Sequence, residues 1–495
     1  MFVTLIVIFV VIFLAYLYLK LKYFTLHGPL PGLAPQFLFG NMLQTGMLTR
    51  NESIANVQLE LQRQFGDIYQ FLMGSARFIG VCNADDVQHI FSNRHVYDQG
   101  DVYVEKFSVL FHDALICNKG AKYKRHASLT LPLFRRGKIN KNFDLIVSCT
   151  DKFMLDQWRS ASEGNVHRDI VQQCQRLLLA IFGYIGFNYD LEAPTGNELT
   201  QALHDFLAVF SLTLFMPTFM SKSYLRFSSK YQKAISVIRQ SLDRMIEQEQ
   251  NESAESVDER KRTSLIASLV LSMQKDESVE ATKSEEDKKG LSHNEIVHEM
   301  LLFLVAGFET TSSALAWFIH LMSKNPRVQT KLKAELAENS FSVDGLDSLV
   351  YLDAVIREVL RFAPPINSTI RTLTADDRLP TSGAQLYKGD QVSIPFYNLA
   401  RDPRYWKVDP ELFYPERFLE NGLDKDHHPY AWLPFGGGHR QCIGQDLARF
   451  ELKTIAGRLM QYVTFGDGGL DVNSGGREQQ FTIIPKQVGV TISFD

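Results

Sequence analysis

The residues best suited to do chemistry lie near the C-terminal end. There Phe435-Gly436-Gly437-Gly438-His439-Arg440-Gln441-Cys442-Ile443-Gly444 sets three glycines and an arginine ahead of one cysteine. Glycines in that position let a backbone turn tightly and lie close against a flat ligand. From Ile443 onward, Leu447, Phe450 and Ile455 keep a helical spacing, which puts Cys442 just ahead of a helix N-terminus. The partial positive charge and free amides of such an end favour a thiolate, the form of cysteine that binds a metal. Cys82, Cys117, Cys149 and Cys174 are scattered and form no C-x-x-C pair, so they read as small buried hydrophobes and not as a disulfide framework or a zinc site. A second polar cluster, Gly307-Phe308-Glu309-Thr310-Thr311, follows the wholly apolar run from Met300 to Ala306. A threonine hydroxyl can bond back to the preceding turn, and a buried carboxylate needs a partner. Either a kinked core helix with a satisfied polar pair or a reactive site fits these residues.

Both clusters need elements to hold them. Ser292 with Glu295 makes a capping box and no proline follows until Pro326, so one helix of about 48 Å is predicted to carry the second cluster through the centre of the fold. Ile68 to Leu72 and Phe78 to Val81 have β-rich composition, while most of Ile139 to Glu249 has helix-spaced apolar residues. The fold class is therefore mainly α with a small β subdomain. From Glu247 to Lys289 charge dominates around an apolar island at Leu265 to Met273, which reads as solvated loops flanking one short helix. At the other end, Phe2 to Leu19 is an almost unbroken apolar run closed by Lys20 and Lys22. At ~1.5 Å per residue it covers about 27 Å, enough for one membrane-spanning helix with its lysines on the cytoplasmic side. It lacks the basic start and small-residue cleavage site of a signal peptide. Gly28-Pro29-Leu30-Pro31-Gly32 and Pro35 then form a stiff hinge. The expected division is an anchor over 1–22, a hinge over 23–36 and one catalytic body over 37–495. With 45% hydrophobic residues and a net charge of -4, the chain suits a well-buried globular body and offers no whole-molecule attraction for nucleic acid.

The Cys442 segment matches F-x-x-G-x-R-x-C-x-G, the heme-binding motif of the cytochrome P450 family, and the chain resembles that family's microsomal, reductase-dependent type from the anchor to Pro485. Further motifs occur in the family's order. Glu358-Val359-Leu360-Arg361 resembles its E-x-x-R helix, Arg417 within Phe413 to Phe418 resembles the arginine that completes a buried triad, and Ala306-Gly307-Phe308-Glu309-Thr310 resembles A-G-x-[DE]-T. Arg401-Asp402-Pro403 resembles its R-D-P turn. The resemblance implies heme b with the Cys442 thiolate as iron ligand, Arg440 and Arg371 on its propionates, Phe435 shielding the sulfur and Gly438 in the cofactor loop. It implies that Gly307 opens a groove for dioxygen, while Glu309 and Thr310 hold waters that deliver protons. Ala306 stands where a long-chain fatty-acid hydroxylase can carry a heme-linked glutamate, so a non-covalent heme is expected. The implied activity is a monooxygenase that inserts one oxygen atom into a lipophilic small molecule. Its electrons come from NADPH through a flavoprotein reductase, with cytochrome b5 as an optional second donor. The implied location is the endoplasmic reticulum membrane, single-pass, with the body cytosolic. Intact Glu309-Thr310 disfavours the peroxide-rearranging and dehydrating members; a heme protein without turnover is the other alternative.

One motif departs. The family's W-x-x-x-R becomes Tyr123-Lys124-Arg125-His126-Ala127, so a propionate loses a charged partner and keeps the Tyr123 hydroxyl. His126 reads either as a partial substitute or as a solvated residue. Lys122, Lys124, Arg125, Arg135 and Arg136 cluster nearby and form a candidate docking patch for the reductase. By resemblance Val109, Phe111, Phe303, Ala306, Ile366 and Ile484 line the substrate pocket.

Overall fold

The computed structural model describes residues 2–134, 136–159, 164–189, 191, 197–214, 216–251 and 264–495. Three helices are long and apolar enough to cross a membrane, but Ile170–Phe187 and His293–Lys324 are 72% and 83% buried in the protein, whereas α1 (Phe2–Tyr23) has no buried residue and a mean hydropathy of 2.9. The candidate span is α1. The Pro/Gly segment after it is tied to the body, because Gln70 donates from its side chain to the Leu30 and His27 carbonyls (2.6 and 3.1 Å) and from its backbone to Pro31 (2.8 Å).

Gln70 belongs to β1 (Ile68–Met73), which forms an antiparallel hairpin with β2 (Ala76–Val81) where β-rich composition predicts strands. With β3 (Tyr97–Gln99), β4 (Ser368–Leu373) and β5 (Gln391–Pro395) they make one sheet in the order β1-β2-β5-β4-β3. All neighbours are antiparallel except β2 and β5. Register places Gln99 opposite Arg371, which brings the arginine to the helical half of the protein. That half is built from α2 (Gly120–Thr130), α3 (Ile170–Phe187), α4 (His293–Lys324), α5 (Val350–Phe362) and α6 (Gln445–Tyr462). The predicted central helix is α4, closed by the Ser292–Glu295 capping box, with Met300–Val305 buried on every face. A hairpin of β6 (Gly475–Gln479) and β7 (Ile483–Gln487) lies across it, held where Ser313 Oγ and Trp317 Nε1 each donate to the Ile483 carbonyl at 3.0 Å. The apolar island forms the short helix Leu265–Leu271; most of the charged stretch ahead of it, 252–263, lies outside the described residues.

Below the sheet, Glu358 of α5 accepts from Arg361 Nε (2.7 Å) and from Arg417 Nε (3.1 Å), with all three side chains fully buried. Arg417 also pairs with buried Asp424 at 2.7 Å. Remaining donors reach backbone carbonyls, among them those of Ala400 and Val408. Two dry guanidiniums are thus matched by two carboxylates, and removing one acid strands a charge. Glu358→Ala is therefore expected to cost about 3–5 kcal/mol, read as a lower midpoint in denaturant unfolding of the full chain, with Glu358→Gln intermediate.

Candidate functional site

The loop that carries Cys442 is shaped by its glycines. Gly438 has φ +69°, and a Cβ there would sit 2.8 Å from the Phe91 carbonyl oxygen, so both torsion and space demand glycine. The Cys442 amide donates to the Phe435 carbonyl at 2.9 Å, closing the loop, and α6 starts at Gln445 as the apolar spacing predicts. The Cys442 side chain carries open surface. Yet burial pushes its thiol above the ordinary pKa, against the lowering effect of the Gly444 amide. Together these place the sulfur on the wall of an internal cleft and not on the outer surface. Desolvation thus works against the helix end, and a cation beside the sulfur would favour the thiolate.

A cradle for anions stands at one end of this cleft. Arg371 is 2% exposed and its hydrogen bonds go to neutral acceptors: Thr369 Oγ1 at 2.9 Å and the carbonyls of Ile370 (3.0 Å) and Gly437 (3.3 Å). Burial first, then the neighbouring Arg440 charge, lowers its pKa to about 10. Arg440 lies with its guanidinium 3.4 Å from the Tyr123 ring centroid, reaches Asp98 at 3.4 Å, and leaves its buried Nε without a partner. Tyr123 donates its hydroxyl to the His439 carbonyl at 3.2 Å. Two same-sign guanidiniums side by side, served by one carboxylate at long range, are the arrangement that accepts further carboxylates. One soft sulfur ligand on the cleft wall and this cation pair at its rim fit iron protoporphyrin IX, whose ring carries two propionates.

The wall opposite is α4. Its buried stretch is interrupted on one face, where Ala306, Gly307 and Thr310 are part-exposed while Phe308 and Glu309 are buried. Phe134 links the two walls, lying 4.0 Å from where a Gly444 Cβ would stand and 5.6 Å, ring to ring, from Phe303. Thr310 Oγ donates back to the Ala306 carbonyl at 2.8 Å, so its oxygen lone pairs remain to accept from the cleft. Glu309 faces the other way. Its oxygens accept from Gln175 of α3 (2.9 Å) and from Thr482 (3.2 Å), and burial raises its pKa against both bonds, favouring a proton-carrying acid. Behind it, an open polar cleft of about 570 Å³ between α3 and the β6–β7 hairpin is lined by Gln175, Glu478 and Ile484.

A family profile described as Cytochrome P450 matches residues 30–490. The chain belongs to the cytochrome P450 family. It is 28% identical to cytochrome P450 3A17 of Cavia porcellus over 455 residues, which span 88% of this chain and 85% of that protein. It is 26% identical to human cytochrome P450 3A5 over the same shares of the two chains. A fungal relative, cytochrome P450 monooxygenase claP of Ampulloclitocybe clavipes, is 27% identical over 92% of this chain and 90% of its own length. Like them, this P450 is mainly helical with small sheets, and membership makes it a heme-thiolate enzyme of the oxygen-inserting kind.

Within the P450 fold several sequence expectations fall differently. Gly307, part-exposed on one side, also meets α3: a Cβ there would lie 2.4 Å from Phe182 Cε2, so this glycine admits the Phe182 ring. His126 is 0% exposed and is neither solvated nor turned to the cofactor rim; it faces Glu299 and Glu295 of α4. The basic cluster is not one open patch. Arg125 is buried against Glu285 and Glu295, Lys122 pairs with Asp113, and Lys124 is exposed. Arg135 and the Arg136 side chain lie outside the described residues. Of the pocket candidates, Ala306 and Ile366 are part-exposed, Val109, Phe111 and Phe303 are buried, and Ile484 lines the outer cleft. Sequence reasoning missed Asp98, Gln175 and Glu299; only the i,i+4 spacing of Glu295 and Glu299 carried a local signal. The Phe182 contact predicts that Gly307→Ala costs about 1–3 kcal/mol in denaturant unfolding, and that pairing it with Phe182→Ala recovers part of the loss in a double-mutant cycle.

Proposed function

We propose that this P450 is a membrane-anchored monooxygenase whose iron is held by Cys442 and which inserts one oxygen atom into a lipophilic small molecule. The observation that carries the reading is the pair of buried, under-partnered guanidiniums of Arg371 and Arg440 beside the Cys442 loop, with a part-exposed face of α4 at Ala306, Gly307 and Thr310. Heme b, when bound, supplies dioxygen activation and oxygen transfer. The protein supplies the rest. Arg371 and Arg440 bind the propionates and fix the ring's rotation, while Tyr123 stacks beneath Arg440. Phe435, part-buried against the main core, keeps water from the sulfur. Thr310, its own proton committed to Ala306, accepts from a water on the cleft side. Glu309, its pKa raised by burial, stands behind Thr310 on the side of α3 as the proton source for that face of α4. Gly307 fixes the height of α4 over α3, and with it the depth of the cleft.

Electrons from NADPH arrive through a flavoprotein reductase in the same membrane, docking where Lys124 is exposed, with cytochrome b5 as a second donor. In this reading the body lies on the cytosolic side of the endoplasmic reticulum, an orientation supported by Lys20 and Lys22 at the end of α1. The test is a reduced carbon monoxide spectrum of the purified full chain, followed by NADPH consumption with reductase over a panel of lipophiles. A thiolate-type band near 450 nm, lost in Cys442→Ser, and substrate-dependent turnover are expected. A thiolate band with no turnover on any lipophile would leave a heme-binding protein in its place. Thr310→Ala is expected to lower product per NADPH by ~10²-fold, with hydrogen peroxide appearing instead.

A further inference from the structure

We propose that His126 is a positioning residue for the propionate end of the cofactor site, acting through Tyr123 on the adjacent turn of α2. The proposal rests on the heme reading above. The arginine that would contribute a charge at position 127 is absent, and Ala127 is 5% exposed and packed into the main core. The neighbouring residue carries a charge cluster instead. His126 Nδ1 lies 2.5 Å from Glu299 Oε1 and its Nε2 lies 3.3 Å from Glu295 Oε1. Each imidazole nitrogen faces a carboxylate oxygen, an arrangement the imidazolium satisfies with both N–H groups; burial raises the Glu299 pKa while the His126 contact lowers it, so the ion pair is what keeps that carboxylate charged.

The groups around it require that charge. Its own helix brings Lys122 and Arg125; α4 brings Glu295 and Glu299; the segment before α4 brings Glu285 with Lys288; and the short helical turn Leu115–Cys117 and the loop before it bring Cys117 and Asp113. With His126 protonated, Lys122, Arg125, Lys288 and His126 face Asp113, Glu285, Glu295 and Glu299, and the cluster is balanced. Neutral, it would leave Glu299, which is 0% exposed and has no bond at Oε2, without a cation. Burial opposes the imidazolium, but the bonds from Glu295 and Glu299 outweigh it and raise the His126 pKa.

Tyr123 lies three residues earlier, one turn along α2. Its ring carries the Arg440 guanidinium and its hydroxyl holds the His439 carbonyl. The ties of Arg125 and His126 to α4 fix the rotation of α2 about its own axis, and that rotation decides where the Tyr123 ring stands beneath Arg440. A charge set against α4 thus does indirectly, through the next turn of α2, what an arginine at 127 would do by direct contact.

The test is the rate at which the full-length holoprotein loses heme to excess apomyoglobin. His126→Leu is expected to lose heme about 10-fold faster and to add nothing in a Tyr123→Ala background, because both changes act on one link. Since the protonated form makes both bonds, its contribution is complete below the ordinary histidine pKa and is lost as pH rises through the raised value. Heme loss from the wild type should therefore speed up with pH, while His126→Leu is flat. Glu299→Gln, which keeps the shape and removes the charge partner, should flatten the profile as well. An equal acceleration by His126→Leu in both backgrounds, or pH profiles that superimpose for wild type and Glu299→Gln, would overturn the proposal. A chain that never takes up heme would instead refute the monooxygenase reading.

Discussion

A helix driven through the core for 32 residues has to find a partner for each polar side chain it carries into the dry interior. On α4 those side chains recur along the length, and between them they fasten α2, α3 and the β6–β7 hairpin. Glu295 and Glu299 receive α2 through Arg125 and His126. Glu309 receives α3 through Gln175 and the hairpin turn through Thr482. Ser313 and Trp317 hold the same turn at Ile483, and His320 takes Asn473 at 2.8 Å. The apolar stretch between Met300 and Val305 is the one part free of such ties, and it abuts the face that opens at Ala306 and Thr310. The polar pairing rule thus secures α4 on both sides of the place where the cleft meets it.

The same rule separates structural arginines from ligand-binding ones. Arg361 and Arg417 are as buried as Arg371, but they meet Glu358 and Asp424 at hydrogen-bonding distance and fill their remaining donors with carbonyls. Arg371 has carbonyls and a hydroxyl only, and Arg440 has a ring face and one distant carboxylate. A buried cation is costly unless neutralised. For Arg361 and Arg417 the protein provides the anion and the pair belongs to the fold; for Arg371 and Arg440 it provides none at close range. This contrast, together with the sulfur that is open yet desolvated, carries the cofactor assignment on grounds independent of motif matching.

Legibility in the sequence followed the range of the interactions. The capping box at Ser292, the helix after Gly444, the β1–β2 hairpin and the E-x-x-R pair are set by residues a few positions apart, and each stands where spacing placed it. What was not legible depends on partners far along the chain. Lys122 and Arg125 look like an open basic patch until Asp113, Glu285 and Glu295 are folded against them. Glu309 and Thr310 read as one acid–alcohol pair. Consecutive helical residues diverge by about 100°, however, and α3 takes the carboxyl while the cleft keeps the hydroxyl. Gly307 reads only as a small residue until Phe182 of α3 is found against it. In each case the residue type was informative and its direction was not.

The substitution at 127 is best understood through where charge is cheap to keep. An arginine there would be buried in an apolar cluster and depend on the bound propionate for its anion. The cluster around His126 brings its own anions, so α2 is held whether or not the cofactor is in place, and the contact left at the rim is a neutral ring and hydroxyl from Tyr123. Under the proposed assignment the cost would move from the empty protein to the strength of the grip, with two arginines to neutralise two propionates and no third cation. A P450 built this way tolerates the loss of its clamp arginine in the fold while making heme retention sensitive to the state of one histidine.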